Sequence, residues 1–437
     1  MQRYIWNELS KEAQEQVLRR PALANDTQLR NTVTEIISRV RNSGDSALLE
    51  LTEQFDAVRL DSLEVTEEEF EQAESCLSEE QSAAIRAAAA NIEKFHAAQL
   101  PSTLAVDTAP GVHCERLSRP INSVGMYVPA GSAPLPSTAL MLGVPAKLAG
   151  CPFRILCSPA QANGQVDAAV LYAARISDVS RVFKLGGAQA IAAMAYGTES
   201  VPKVNKVYGP GNAWVTEAKA QVDQDPAAAV RDYPAGPSEL LVIADEQATV
   251  EFLAADLLSQ AEHGPDSQVL LLTTSTELAS QVMQQIDLQT ARLPRREIIE
   301  QSLEHSSVII VDDIAAAIEL SNRYAPEHLI LQLEQARNWL PQVQAAGSVF
   351  LGRWAPESVG DYCSGTNHVL PTYGYARQYS SLGVGDFMRS MTVQELTPDG
   401  LRNIGPIAET LARLEGLDAH AQAVSARLAV LDARGTR

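Results

Sequence analysis

Apolar residues recur at three- and four-residue spacing between Asp26 and Phe55, at Leu29, Val33, Ile36, Ile37 and Val40, and this period predicts a helix. Asn42-Ser43-Gly44-Asp45 interrupts the pattern, and a second helix follows. Residues 1–22 read as a short amphipathic helical arm ending at Pro21. Thr66 with Glu69 has the spacing of a capping box and opens an acidic helix. The Ala-rich run 82–98 continues as helix. The N-terminal third is therefore expected to be helical, with an acidic exterior and no obvious chemistry.

Near residue 118 the texture changes. Apolar strands now end in Gly/Pro-rich turns that lead into Ala-rich helices. Ser123–Val128 runs into PAGSAPLPST, Phe153–Cys157 into SPAQANGQ, Arg181–Leu185 into GGAQ, and Lys206–Tyr208 into GPGN. A second set follows, with strands at Leu240–Ala244, Gln268–Thr273, Ser307–Val311 and His328–Leu331 and helices between them. Strand–loop–helix in succession implies parallel strands and doubly wound α/β domains. The expected division is an arm (1–22), a first α/β domain (23–119 plus 237–380), a second (120–236) and a C-terminal helical tail (381–437). Both domains are Rossmann-like, but no strand is followed by GxGxxG with an acidic residue about 20 positions on.

Composition narrows the partners. The 34 Lys and Arg against 54 Asp and Glu leave a net charge of −20, which disfavours nucleic acid and anionic membranes. The opening MQRYIWNELSKEAQEQ lacks the apolar run of a signal peptide, and Ala139–Cys151 is broken by Pro145 and Lys147, so the cytoplasm is expected. Five cysteines (76, 114, 151, 157 and 363) without a CxxC argue against a disulfide framework or a four-cysteine zinc site; buried reduced thiols are expected.

Three turns could bring backbone N–H groups to an anion at a helix N-terminus: Tyr127–Gly131, Gly186-Gly187-Ala188-Gln189, and Tyr208-Gly209-Pro210-Gly211-Asn212. Each also reads simply as a tight turn. In SQAEHGPDSQ, Gly264-Pro265 stops a helix near His263, leaving Gln260 and His263 on one face, as metal ligands or as a polar cap. In YAPEHLIL, Glu327 and His328 open a strand, as an acid–base pair or as a surface ion pair. The Gly-rich stretch 357–376 offers Asp361 and His368 as ligands or bases.

Taken together, the strings VGMYVPAGSAPLPST, LGGAQAIAA, VPKVNKVYGPGNAWVTEAK, PAGPSE, LLSQAEHGPDSQ, APEHLI, GSVFLG and GDYCSGTNHVLPTYG resemble the histidinol dehydrogenase family from about residue 118 to 395. The resemblance implies one zinc per subunit, held by Gln260, His263, Asp361 and His420. It implies Glu327 and His328 as the catalytic pair. Substrate contacts then fall on Ser238, Gln260, His263, His328, Asp361, Glu415 and His420, with His368 as a further candidate. NAD contacts fall on Tyr127, Gln189 and Asn212, so the domain 120–236 would hold NAD and the other the zinc and catalytic residues. Two NAD would be used per turnover, oxidising L-histidinol through L-histidinal to L-histidine, the last steps of histidine biosynthesis. A homodimer is also implied, with arm and tail exchanged and His420 and Glu415 reaching the partner's site.

Three other readings stay open: a zinc/NAD dehydrogenase of another amino alcohol or polyol, a zinc hydrolase with Glu327 as base, and a non-catalytic binding module. Two departures from the family pattern stand out. Cys363 follows Asp361 by two where a small residue is expected; strand alternation there offers its thiol to the metal as the lesser reading, and a simply buried thiol is the weightier one. Arg231 stands where an apolar residue is usual.

Overall fold

The computed structural model describes residues 1–21, 27–130, 133–234 and 236–435. The expected arm border near residue 22, the helix start at Asp26, Gly131 and Ser132 of the first Gly-rich turn, and Ala235 of PAGPSE lie outside the described residues.

The chain begins with β1 (Gln2–Ile5), α1 (Lys11–Val17), α2 (Thr27–Asp56), α3 (Glu67–Cys76) and α4 (Glu79–Ala97). Next come β2 (Leu104–Ala109), β3 (Val112–Pro120), β4 (Ser123–Tyr127), α5 (Pro136–Leu148), β5 (Phe153–Ser158) and α6 (Ala168–Ile176). They lead to β6 (Arg181–Lys184), α7 (Gly187–Tyr196), β7 (Lys206–Tyr208), α8 (Ala213–Asp223) and β8 (Val230–Arg231). The second half has β9 (Glu239–Ala244), α9 (Val250–Ala261), β10 (Gln268–Thr273), α10 (Thr276–Thr290), α11 (Arg296–Glu304), β11 (Ser307–Ile310), α12 (Ile314–Tyr324) and β12 (His328–Gln332). It closes with α13 (Ala336–Trp339), β13 (Ser348–Leu351), α14 (Glu357–Tyr362), β14 (Met388–Leu396), α15 (Pro398–Leu414) and α16 (Asp418–Gly435).

Two parallel sheets carry the larger unit, which comprises Met1–Gln99 and Ile121–Phe387. One has the order β6-β5-β4-β7-β8 and the other β1-β11-β10-β9-β12-β13. The five-stranded sheet starts at β4, winds outward to β6 and then returns to wind through β7 to β8; in the six-stranded sheet β9 to β13 do the same, with β1 added at the β11 edge. Every position of β4, β9, β10 and β12 is buried, as strands covered by helices on both faces must be. Two apolar layers cover the six-stranded sheet, one with Leu253, Leu257 and Val282, the other with Ile318, Leu320 and Tyr324.

Several expectations change at this level. The arm is not all helix: β1 pairs in parallel with β11, Gln2 opposite Ser307, so its first residues extend the chain's own sheet. Residues 27–97 do not join the 237–380 sheet. Val33, Ile36, Val40, Leu48 and Leu51 of α2 form one core with Ile155, Phe183 and Ile191 of the five-stranded sheet and its helices. Leu63 and Val65 hydrogen-bond to β6, through Lys184 N to Leu63 O at 2.7 Å and Val65 N to Val182 O at 2.9 Å. The break inside α2 falls at Gly44, whose φ of 50° is left-handed. Thr66 and Glu69 do form the capping box.

The smaller unit, Leu100–Pro120 with Met388–Arg437, was not foreseen as such. Residues 104–120 form two strands rather than helix, and the tail contributes β14 before its helices. Together they make an antiparallel sheet, β14-β3-β2, with Met388 opposite Pro120 and Leu396 opposite Val112. Gly400 and Gly111 approach so closely that a Cβ on Gly400 would strike the Gly111 carbonyl. All five cysteines are free, but only Cys151 and Cys157 are buried; Cys114 is half-buried, and Cys76 and Cys363 are exposed.

Candidate active site

The chemistry-bearing side chains gather at the amino ends of β9 and β12, the central neighbours of the six-stranded sheet. The helix α12 ends with Ala325 in the left-handed region (φ 55°), and Pro326 follows before β12 begins. This kink turns Glu327 and His328 toward the start of β9. There one residue, Glu239, holds both. Its backbone N–H donates to Glu327 Oε2 at 2.8 Å, and its carbonyl accepts from His328 Nδ1 at 3.0 Å. A carbonyl only accepts, so the bond fixes the proton on Nδ1 and leaves Nε2 for the site. His328 Nε2 is buried without a hydrogen-bond partner, 3.4 Å from Asp361 Oδ1.

Helix α9 returns to this same edge. Gln260, fully buried in its last turn, has its amide 3.1 Å from His263 Nδ1. With its nitrogen donating to the Glu357 carboxylate, its oxygen faces His263. Ser238 Oγ lies 3.4 Å from His263 Nδ1. From the far side, the single turn and a half of α14 presents Glu357 and Asp361, four residues apart and both buried. Ligand atoms of His263, Glu357 and Asp361 lie within 4.8 Å of one another. His368 Nδ1 donates to the Asp361 carbonyl at 2.9 Å, and its Nε2 faces Thr138 Oγ1 at 3.1 Å, at the start of α5.

The electrostatics follow from burial and crowding. Burial pushes the Glu327 carboxyl up to about 8, against the pull of His328. Burial opposes the His328 imidazolium, yet the carboxylates of Glu357, Glu327 and Asp361 outweigh it and raise the ring to about 10. Asp361 is also desolvated, but His328, His368 and His263 hold it below the usual carboxylate range. His263 keeps an exposed face, but the protein around its ring brings it down to about 4, so the imidazole is neutral. A neutral imidazole, an ionised carboxylate and an amide oxygen form a donor set that suits zinc.

The second cluster of expected residues lies at the carboxyl edge of the five-stranded sheet. Tyr127 ends β4, and its hydroxyl accepts from Gly187 N at 3.1 Å, at the start of α7. Gln189, 2% exposed, sits in the first turn of α7. Asn212 caps α8, its Oδ1 accepting from Trp214 N and Val215 N at 3.1 and 3.2 Å. Gly209 has φ 120°, and a Cβ there would strike the Tyr127 carbonyl. The strands β4 and β7 are the neighbours at which the strand order reverses, where open α/β sheets take their ligands.

Comparison with known proteins shows the family. The sequence model of the family described as histidinol dehydrogenase matches residues 18–428. The chain belongs to the histidinol dehydrogenase family. It is 53% identical over 435 residues to the histidinol dehydrogenase of Vibrio vulnificus (strain CMCP6), covering 100% of both. It is 57% identical over 425 residues to that of Xanthomonas campestris pv. campestris (strain 8004), covering 97% of this chain and 98% of the relative. The crystal structure of histidinol dehydrogenase from Elizabethkingia anophelis superposes with a TM-score of 0.95 at 46% identity, covering 99% of each chain. Histidinol dehydrogenases are NAD- and zinc-dependent oxidoreductases, and the donor set around His263 fits that metal.

Of the residues expected from the sequence, Ser238, Gln260, His263, Glu327, His328, Asp361 and His368 converge. Glu415 and His420 belong to the smaller unit, at the end of α15 and the start of α16, and both are exposed. Cys363 is not on a strand with Asp361. It caps the C-terminus of α14 and is exposed. Arg231 pairs with Asp223 at 3.4 Å, on the surface side of β8. Glu357 and Glu239 were missed. The four-residue step from Glu357 to Asp361 was the available signal for the first.

Proposed function

We propose that this chain oxidises L-histidinol through L-histidinal to L-histidine in two successive NAD-dependent steps at one site. The observation that carries this reading is the aim of His328: Nδ1 is tied to Glu239, and the partnerless Nε2 faces Asp361 beside Gln260 and His263. Gln260, His263 and Asp361 are the zinc ligands on this chain, with Ser238 next to them for the substrate. Tyr127, Gln189 and Asn212 take the nucleotide at the carboxyl edge of the five-stranded sheet. When bound, zinc fixes the amine and imidazole of the substrate, and NAD accepts the two electrons of each step as hydride.

The chain's own groups handle the protons. With the Asp361 carboxylate charge, which helps hold His328 as imidazolium, taken up by a zinc ion, the ring releases its Nε2 proton to solvent, and the neutral Nε2 then accepts the proton of the alcohol. Glu327, buried and raised to about 8, is poised near neutral pH to take a proton from the water that adds to the aldehyde. His328 then serves the hydrate as it served the alcohol. The burial of Gln260, Glu327, His328 and Asp361 limits the access of bulk water to the aldehyde between steps. Glu415 and His420 reach this site from a second copy in a homodimer, since both lie exposed on the smaller unit. The enzyme is assigned to the cytoplasm; among the described residues no helix is long and apolar enough to cross a membrane.

The test is absorbance of NADH after addition of L-histidinol to the zinc-loaded protein, with and without a chelator. Two NADH per histidinol, lost on chelation and regained with zinc, support the reading. No NADH from fully metallated protein overturns it.

A further inference from the structure

The N-terminal arm carries a residue that reaches the segments holding Glu327 and His328. Arg20 lies just before the undescribed stretch 22–26, yet its side chain is 12% exposed. Its Nε and Nη2 meet the two carboxylate oxygens of Glu239, Nη2 to Oε2 at 2.9 Å, a fork on a fork. The same Nη2 lies 2.8 Å from the Tyr324 carbonyl and 3.3 Å from that of Ala325. The guanidinium carbon stands 3.9 Å over the Tyr324 ring.

These contacts fall on two chain segments that matter. Glu239 opens β9, and its backbone holds Glu327 by its N–H and His328 by its carbonyl. Tyr324 and Ala325 immediately precede Pro326 and that pair. One planar cation thus joins the two strand entries whose alignment decides where His328 Nε2 points. The Glu239 carboxylate is 2% exposed, and Tyr373 N adds a bond to its Oε1 at 2.9 Å. Without Arg20, a buried carboxylate loses its counter-charge, and its cheapest relief is to swing toward water and take its backbone along.

We infer that Arg20 is a positioning residue of the active site, locking through Glu239 the backbone that aims Glu327 and His328. The inference rests on the proposed roles of Glu327 and His328. It makes the arm part of the catalytic apparatus and not solely a dimer contact. Lysine cannot replace the fork, because a point charge on a flexible stem reaches one oxygen at a time.

The experiment compares Arg20→Ala, Arg20→Lys and Glu239→Gln in the full-length, zinc-loaded enzyme. In Arg20→Ala, kcat for histidinol falls about 100-fold, the cost of an ångström-scale misplacement, while KM and bound zinc change little and the melting temperature falls as the buried Glu239 carboxylate loses its counter-charge. Guanidinium ion at millimolar concentration refills the gap and recovers kcat in Arg20→Ala alone. Arg20→Lys and Glu239→Gln are slowed and unrescued. Wild-type kcat in Arg20→Ala overturns the inference. So does a loss that tracks zinc or melting temperature in all three variants without guanidinium rescue. Glu327→Gln and His328→Asn run alongside: if both keep wild-type activity, the catalytic assignment itself fails, whatever Arg20 does.

Discussion

At the scale of single residues, the roles proposed for Glu327 and His328 differ by what holds each one. The ring of His328 is fixed by a carbonyl, whereas Glu327 is held by an N–H and raised by burial to about 8. Only the second oxidation consumes water, so Glu327→Gln is expected to spare histidinol oxidation more than histidinal oxidation. Equal losses in separately assayed half-reactions would refute that division. A second carboxyl, Asp256 in α9, is pushed by burial up to about 7 from an ordinary 3.8. A raised carboxyl favours the folded chain only while protonated. Its contribution is complete below the unfolded value and is lost as pH climbs through the folded one. The urea midpoint of Asp256→Asn should therefore exceed that of the parent by an amount that grows between about pH 4 and about pH 7 and then levels. A pH-independent difference would count against this account.

Elements explain what could be read in advance. ELLVIA and QVLLLT declare themselves because a parallel strand covered on both faces is apolar throughout. The strands β1, β2 and β14 are mostly exposed and carry no such run, so only their partners reveal them. Gln260 with His263, and Glu327 with His328, were legible because each pair is local. Glu357 was hidden in a six-residue helix containing a glycine. Arg20 and Glu239 were beyond reach because their bond spans 219 positions. Helix packing also explains why α2 left the group assigned to it, since its apolar stripe matches the core under β5 and β6.

The β7–α8 turn is held at the same scale. Gly209 N donates to Asp232 Oδ2 at 3.0 Å, and Lys219 pairs with Asp232 while donating to the Gly209 carbonyl at 2.9 Å. Both charges are nearly inaccessible to water. Asp232→Ala leaves Lys219 buried without its partner, which costs about 3 kcal/mol. Urea titration should show that loss, and initial rates should show a raised KM for NAD with that for histidinol unchanged. An unchanged KM for NAD would detach this turn from the nucleotide.

For the whole molecule, the expected exchange of His420 between subunits has a sharp consequence. His263→Asn and His420→Asn should each be inactive alone. In mixed dimers, one site then combines an intact His263 with a partner's intact His420. Unfolding and refolding an equal mixture should restore about a quarter of wild-type activity, from random pairing of two-site dimers. No recovery, with mixed dimers demonstrated by differential tags, would place His420 in its own subunit's site.

The pairing of β1 with β11 also sets a timetable. Ser307, the neighbour of Gln2, leaves the ribosome 305 residues after it. At usual synthesis speeds that is a delay of about 15 to 60 s. Arg20 waits as long for Tyr324 and Ala325, which follow it by 304 and 305 residues. The five-stranded sheet, complete by Arg231, is free to fold in the meantime. During synthesis the five-stranded half therefore precedes the six-stranded half, and β1 is among the last segments to find its place.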